Sequence, residues 1–184
     1  MVFFYSRSGK TKVFANTLGE VSGSEVYELN CDLNNKGNFA FIVKALSVTL
    51  AGKPFPVSNV PNEFPDEIFL CAPVWGGKIA APAKYFLQNA NLKNTTTHLL
   101  LTASMPGKNC RRYATEILSK SDCKPGNVYI FATSDKVDAN AVREQLHEML
   151  DQSENRGRPV EFPCFDFAEA EQKSGFKDGQ ISCG

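Results

Sequence analysis

The segment Ser6-Arg7-Ser8-Gly9-Lys10-Thr11 constrains this chain most, because it joins an apolar run, Met1-Val2-Phe3-Phe4-Tyr5, to an amphipathic one from Val13 to Leu18. A hydroxyl-rich turn leading from a buried strand into a helix gathers backbone N–H groups and the positive end of a helix dipole at one point. The group that suits such a point is a phosphate. Ser6, Ser8 and Thr11 offer hydroxyls there, Gly9 lets backbone approach closely, and Arg7 and Lys10 add positive charge. A phosphorylated cofactor is the expected ligand.

Two other readings share these residues. The P-loop of nucleoside triphosphatases also ends in Gly-Lys-Ser/Thr, but it needs a glycine at its first position, which here is Phe4 inside the strand. An ordinary polar turn with an N-cap would need nothing more than the hydroxyls.

A second segment weighs against the ordinary turn. Ile68-Phe69-Leu70-Cys71-Ala72 is an apolar run of strand length that ends in Pro73-Val74-Trp75-Gly76-Gly77-Lys78 before a helical stretch, Ile79 to Asn89. A tryptophan and two glycines at the C-terminal end of a strand lie where open α/β sheets bind ligands. A third run, His98-Leu99-Leu100-Leu101-Thr102-Ala103, leads into Ser104-Met105-Pro106-Gly107-Lys108.

With these three segments in this order, the chain resembles flavodoxin-like FMN-binding proteins, over roughly residues 1–150. Ser6 to Thr11 is similar to the family's FMN phosphate loop, and Ala72 to Pro82 is similar to its first flavin-ring loop. Ser104 to Lys108 falls where the second ring loop belongs. The resemblance implies that the Ser6, Ser8 and Thr11 hydroxyls and the amides from Arg7 to Lys12 hold the phosphate. It implies that Trp75 stacks on the ring beside Pro73, Val74 and Lys78. Backbone around Gly76-Gly77, Thr102-Ala103-Ser104 and Gly107 would face the polar edge of the ring. FMN is the implied cofactor, with NAD(P)H as a candidate electron donor; no catalytic side chain and no metal site is singled out.

Periodicity orders the elements. Glu25 to Leu29 reads as a second strand and Phe39 to Leu50 as a helix, while Ala51 to Pro65, rich in proline, reads as a long surface connection. Alternation then continues through Glu67–Ala72, Ile79–Asn89, Thr97–Ala103, Asn109–Ser119, Asn127–Thr133 and Ala139–Leu150. Five strands alternating with helices predict an α/β fold, a doubly wound five-stranded parallel sheet with helices on both faces. The strand order 2-1-3-4-5 is what the resemblance adds. Residues 1–150 form the expected domain. Residues 151–184 read as an extension that opens with a polar linker, Asp151 to Pro159, and packs on the domain or on a partner, a homodimer being one such arrangement.

Composition sets the outer bounds. With 184 residues, 42% of them hydrophobic, one substantial core is the default. No apolar run approaches the ~18 residues of a membrane span, and no cationic signal region precedes the first strand, so no membrane partner and a cytoplasmic location are expected. The six cysteines form no C-x-x-C pair. Cys71 reads as core, and Cys110 lies at an expected helix start where a thiol pKa can fall. His98 and His147 belong to no recognisable triad or ligand set, and the sequon Asn94-Thr95-Thr96 has little weight without a secretion signal.

Charge bears on use. Flavodoxin electron carriers are typically acidic around the ring, whereas this chain balances 20 Lys+Arg against 20 Asp+Glu. Arg7, Lys10, Lys12, Lys78, Lys108, Arg111 and Arg112 fall in the loops expected at the ligand end, which suggests a cationic rim for an anionic substrate. Ordinary solvated side chains are the plainer explanation. Three functions follow: an FMN-dependent electron carrier or oxidoreductase, working with a redox partner protein or a small-molecule acceptor; a non-catalytic flavodoxin-like partner-binding module; and a nucleotide hydrolase, weakened by Phe4. No nucleic-acid-binding motif is recognisable, so no nucleic-acid partner is expected.

Overall fold

Alternation within the apolar runs decides the layers. The computed structural model describes residues 1–31, 55–107, 109–133 and 137–156. In β1 (Val2–Phe4), Phe3 faces one side of the sheet while Val2 and Phe4 face the other. The same two-residue period sends Ile68, Leu70 and Ala72 of β3 (Glu67–Trp75) to the Phe3 side and Cys71 to the opposite one. Leu99 and Leu101 of β5 (Thr96–Ala103) and Val128 and Ile130 of β6 (Lys124–Ala132) continue the Phe3 side. Leu100, Tyr129 and Phe131 continue the other. Strands buried on both faces need helices on both faces. Helices α2 (Ala81–Asn89) and α3 (Cys110–Ser119) cover the Phe3 side with Phe86, Leu87, Ala114 and Leu118. Helices α1 (Lys10–Ser22) and α4 (Ala139–Arg156) cover the other with Phe14, Leu18, Val142, Leu146 and Met149. Burying each of the larger of these side chains contributes roughly 1.5–3 kcal/mol.

With β2 (Val26–Glu28), the order is β2-β1-β3-β5-β6 and every neighbouring pair on this path is parallel. A two-residue strand, β4 (Lys78–Ile79), pairs antiparallel with β3 off this path. Counting the parallel strands alone gives the expected 2-1-3-4-5. The expected helix from Phe39 to Leu50 lies outside the described residues, as does the extension beyond Arg156. No helix among the described residues is long and apolar enough to cross a membrane.

Several boundaries differ from the sequence expectation for identifiable reasons. Strand β3 runs three residues past Ala72, through Pro73-Val74-Trp75, because β4 pairs with its end. Helix α2 starts at Ala81 rather than Ile79, with Pro82 in its first turn, where a missing N–H costs nothing. Strand β6 starts at Lys124 and includes Pro125; among the described residues it is the last strand of the sheet, where proline is tolerated. Helix α4 continues to Arg156, so the expected linker begins as helix. The segment before β3 is less superficial than its prolines suggest: Phe55 is buried, and Phe64 packs on the rings of Phe3 and Phe86.

His98 occupies the irregularity where the β5–β6 register shifts between Thr97 and Leu99. Its Nδ1 accepts the Asn127 backbone N–H at 3.0 Å, and its Nε2 lies 2.8 Å from the Glu67 carboxylate. The ring stacks on Phe69, and a Cβ at Gly126 would fall 2.8 Å from Nδ1, so a glycine stands where the imidazole presses on β6. An Nδ1 that accepts a hydrogen bond must be unprotonated. Burial pushes the His98 pKa down, against the opposing pull of Glu67. As pH falls below about 6.5 the unfolded chain therefore takes up a proton that the folded chain refuses, and stability declines toward the folded-state pKa. Denaturant midpoints should fall between pH 7 and pH 5 in the wild type, with a smaller fall over the same window in His98→Gln; equal declines would contradict this account. Gly126→Ala should be destabilised by about 1–3 kcal/mol, from overpacking against the imidazole and the Thr97 carbonyl.

Candidate functional site

Parallel strands end together, so the turns after β1, β3 and β5 emerge at the same end of the sheet. The structure thereby brings together all of the sequence-designated positions: Ser6, Arg7, Ser8, Gly9, Lys10 and Thr11 after β1, Pro73 to Lys78 at the end of β3, and Thr102, Ala103, Ser104 and Gly107 at the end of β5. Two contacts knit them. Thr11 and Thr102 share a buried hydrogen bond, Oγ1 to Oγ1, of 2.7 Å. Tyr5 and Trp75 meet edge to face, with ring centroids 5.6 Å apart.

The first turn has the makings of an anion site. Gly9 is the residue before α1, left-handed at φ 85°, and no side chain caps the helix. The helical ladder opens with Val13 N–H to the Gly9 carbonyl at 3.1 Å, so the amides of Lys10, Thr11 and Lys12 precede the first intrahelical bond. Ser6 Oγ is buried without a hydrogen-bond partner, and Ser8 is exposed. A buried hydroxyl left unsatisfied costs about 1–3 kcal/mol, which a bound acceptor would recover. Thr11 makes a contact with no signal in the sequence: its buried hydroxyl is bonded to that of Thr102.

The second segment is a hairpin rather than a loose loop. Val74 pairs with Ile79 and Trp75 with Lys78, leaving Gly76 and Gly77 at the tip with φ of 56° and 77°. Positive φ at both central residues is the requirement of a type I′ hairpin, which two glycines meet without strain. Trp75 is half-buried and packs against the Phe55–Ala81 cluster as well as Tyr5, so one side of it is held by the protein. The third loop presents Met105, the exposed large hydrophobic residue among those described, at 89% exposure.

The members of the expected cationic rim differ in their partners. Lys12 pairs with Glu28 at 3.1 Å, and Arg111 Nη1 donates to the Val128 carbonyl of β6. Lys108 lies outside the described residues. Lys78 and Arg112 remain beside the site, on a pocket of about 400 Å³ that Gly76, Gly77, Gly107 and Tyr113 also line. Lys78 Nζ lies 5.9 Å from the Tyr113 ring centroid. Glu116, which lines the same pocket, has its pKa lowered by the hydrogen bond and charge of Lys120 and least by Arg112. Cys110 is buried at the start of α3, and burial pushes the Cys71 thiol pKa up. Sequence reasoning missed the buried Tyr5 as a neighbour of Trp75; its place next to Ser6, at the end of an apolar run, was the available signal.

No protein-family model matches the sequence, and no curated protein matches it. Solved structures do. A candidate flavoprotein from Bacteroides eggerthii superposes with a TM-score of 0.59 at 17% identity, covering 81% of this chain and 96% of its own. Another candidate flavoprotein, from Bacteroides uniformis, gives 0.60 at 14%, covering 80% and 96%. The chain has a flavodoxin-like fold. A flavoprotein from Lactobacillus acidophilus, solved in complex with FMN, gives 0.56 at 21%, covering 70% of this chain and 90% of that one.

The hairpin tip offers a direct check on this geometry. The space around a Cβ at Gly76 or Gly77 is open, so substitution there meets backbone strain and no clash. Gly77→Ala should cost roughly 1–2 kcal/mol and Gly77→Asn distinctly less, because asparagine tolerates the left-handed region. Equal losses by denaturant titration would show that the tip is not a positive-φ turn.

Proposed function

We propose that this chain binds FMN at the C-terminal end of the sheet and uses it in electron transfer. The observation that carries this reading is Ser6 Oγ, buried and unpartnered beside a helix start that no side chain caps. A phosphate seated there satisfies Ser6, takes the Ser8 hydroxyl, and meets the amides that precede the first intrahelical bond. The left-handed Gly9, with open space around its Cβ position, leaves room for it. The FMN-bound flavoprotein of the same fold supports the choice of cofactor.

When bound, the isoalloxazine ring supplies reversible one- or two-electron chemistry, and the protein sets its position and exposure. Trp75, braced edge-on by Tyr5, presents a ring-sized aromatic surface at the end of β3. The amides of the Gly76-Gly77 tip can donate to the polar edge of the flavin. Lys78 and Arg112 place positive charge beside it, which favours an anionic reduced ring and an anionic partner. NAD(P)H is an electron donor consistent with that charge. An FMN-dependent oxidoreductase and an electron carrier both fit this reading.

Trp75 is the sole tryptophan of the chain, so its emission reports directly on the site. FMN should quench it saturably and remain with the protein through gel filtration as a yellow complex. Ser8→Ala should weaken FMN binding by about 1–3 kcal/mol, the worth of a hydrogen bond to a charged group. A protein that neither colours nor loses Trp75 emission at high FMN refutes the proposal and favours the partner-binding module. Reductive titration of the yellow complex, with and without NADPH, then separates one-electron from two-electron use.

A further inference from the structure

The buried pair Thr11–Thr102 joins residues 91 positions apart in sequence, at 2% and 3% exposure. It lies between the first turn of α1 and the last residues of β5. Resemblance assigns Thr11 to the phosphate and Thr102 to the flavin ring, yet the structure directs the two hydroxyls at each other across 2.7 Å.

Proton counting gives the pair a direction. Two hydroxyls bring two protons, and their mutual bond uses one. If Thr11 donates to Thr102, Thr11 Oγ1 has only lone pairs left to offer at a helix start suited to anions. If Thr102 donates to Thr11, the Thr11 proton points away from Thr102 and is available to another acceptor. An incoming phosphate, which carries about −1.5 to −2 charge near neutral pH, selects the second arrangement.

We propose that Thr102 is a positioning residue for the phosphate: by donating to Thr11 Oγ1 it fixes Thr11 as a donor toward the anion. This inference rests on the FMN reading above and deepens it. Thr102 need not touch the cofactor. Its effect runs through the Thr11 hydroxyl and is therefore specific to the phosphate end. A chain with valine at this position keeps the branched shape of the core and loses the donor, leaving Thr11 free to rotate and a buried hydroxyl without its partner.

The test compares FMN with riboflavin, which shares the ring and lacks the phosphate, by quenching of Trp75 emission in the wild type, Thr102→Val and Thr102→Ser. Thr102→Val should raise the FMN dissociation constant roughly tenfold while changing the riboflavin constant by less than about twofold, and Thr102→Ser should restore FMN affinity. Thermal melts of the ligand-free variants show whether each is folded. If Thr102→Val fails to fold, Thr102→Ala and the serine variant carry the comparison. Equal weakening of both ligands, or an unchanged preference for FMN in a folded variant lacking the hydroxyl, overturns the positioning role while leaving the FMN proposal standing. A wild type that binds riboflavin as tightly as FMN overturns the phosphate placement, and this inference with it.

Discussion

The sheet reverses its direction of growth at β1, which pairs with β2 on one side and β3 on the other. Everything about the candidate site depends on that double pairing. The chain leaves β1 for a helix on one face of the sheet and leaves β3 for a helix on the opposite face, so the turns after the two strands diverge and open a crevice between them. Because β1 is buried on both faces, a one-residue slip would move Phe3 and Phe4 into cores shaped for other side chains. The crevice is fixed by the core.

That rigidity explains how so short a turn can hold strained or unsatisfied groups. Ser6 follows the buried Phe4 and Tyr5 at the end of a five-residue apolar run, and the backbone of Tyr5 is tied to Cys71 at 3.0 Å. The cost of a partnerless Ser6 Oγ is covered by that core, and the helix start next to it remains uncapped for the same reason. Thr11 then links this turn to β5, and Tyr5 links it to the hairpin through Trp75. Three loops from distant parts of the chain thus share one set of packing contacts, and a ligand spanning them meets preorganised groups.

Much of this was legible in the sequence, and the reason is physical. Leu99-Leu100-Leu101 and Ile68 to Ala72 are apolar at every position, which a parallel strand covered on both faces requires, and glycines and prolines punctuate their ends. What escaped were the features set by partners far along the chain. The extension of β3 through Trp75 depends on pairing with Lys78–Ile79, although Val-Trp-Gly-Gly-Lys-Ile does contain a glycine pair between strand-forming residues. Arg111 was grouped with a ligand rim from its place near a loop, and its hydrogen bond to the Val128 carbonyl joins it to a strand 17 residues on. Phe55 and Phe64 were hidden among prolines that read as surface. The pairing of Thr11 with Thr102 has no local signature at all. The polar tail of α4, Asp151 to Arg156, carries no apolar period to mark it as helix.

The central claim is that the uncapped turn after β1 and the hairpin tip form one FMN site, and amide NMR during an FMN titration tests it most directly. The largest saturable shifts should fall on the amides of Ser8 to Lys12 and of Gly76 and Gly77, with inorganic phosphate alone moving only the first group. Asn127, at the far end of the sheet, should stay in place. Shifts centred on the His98 end, or none that saturate, would contradict the account.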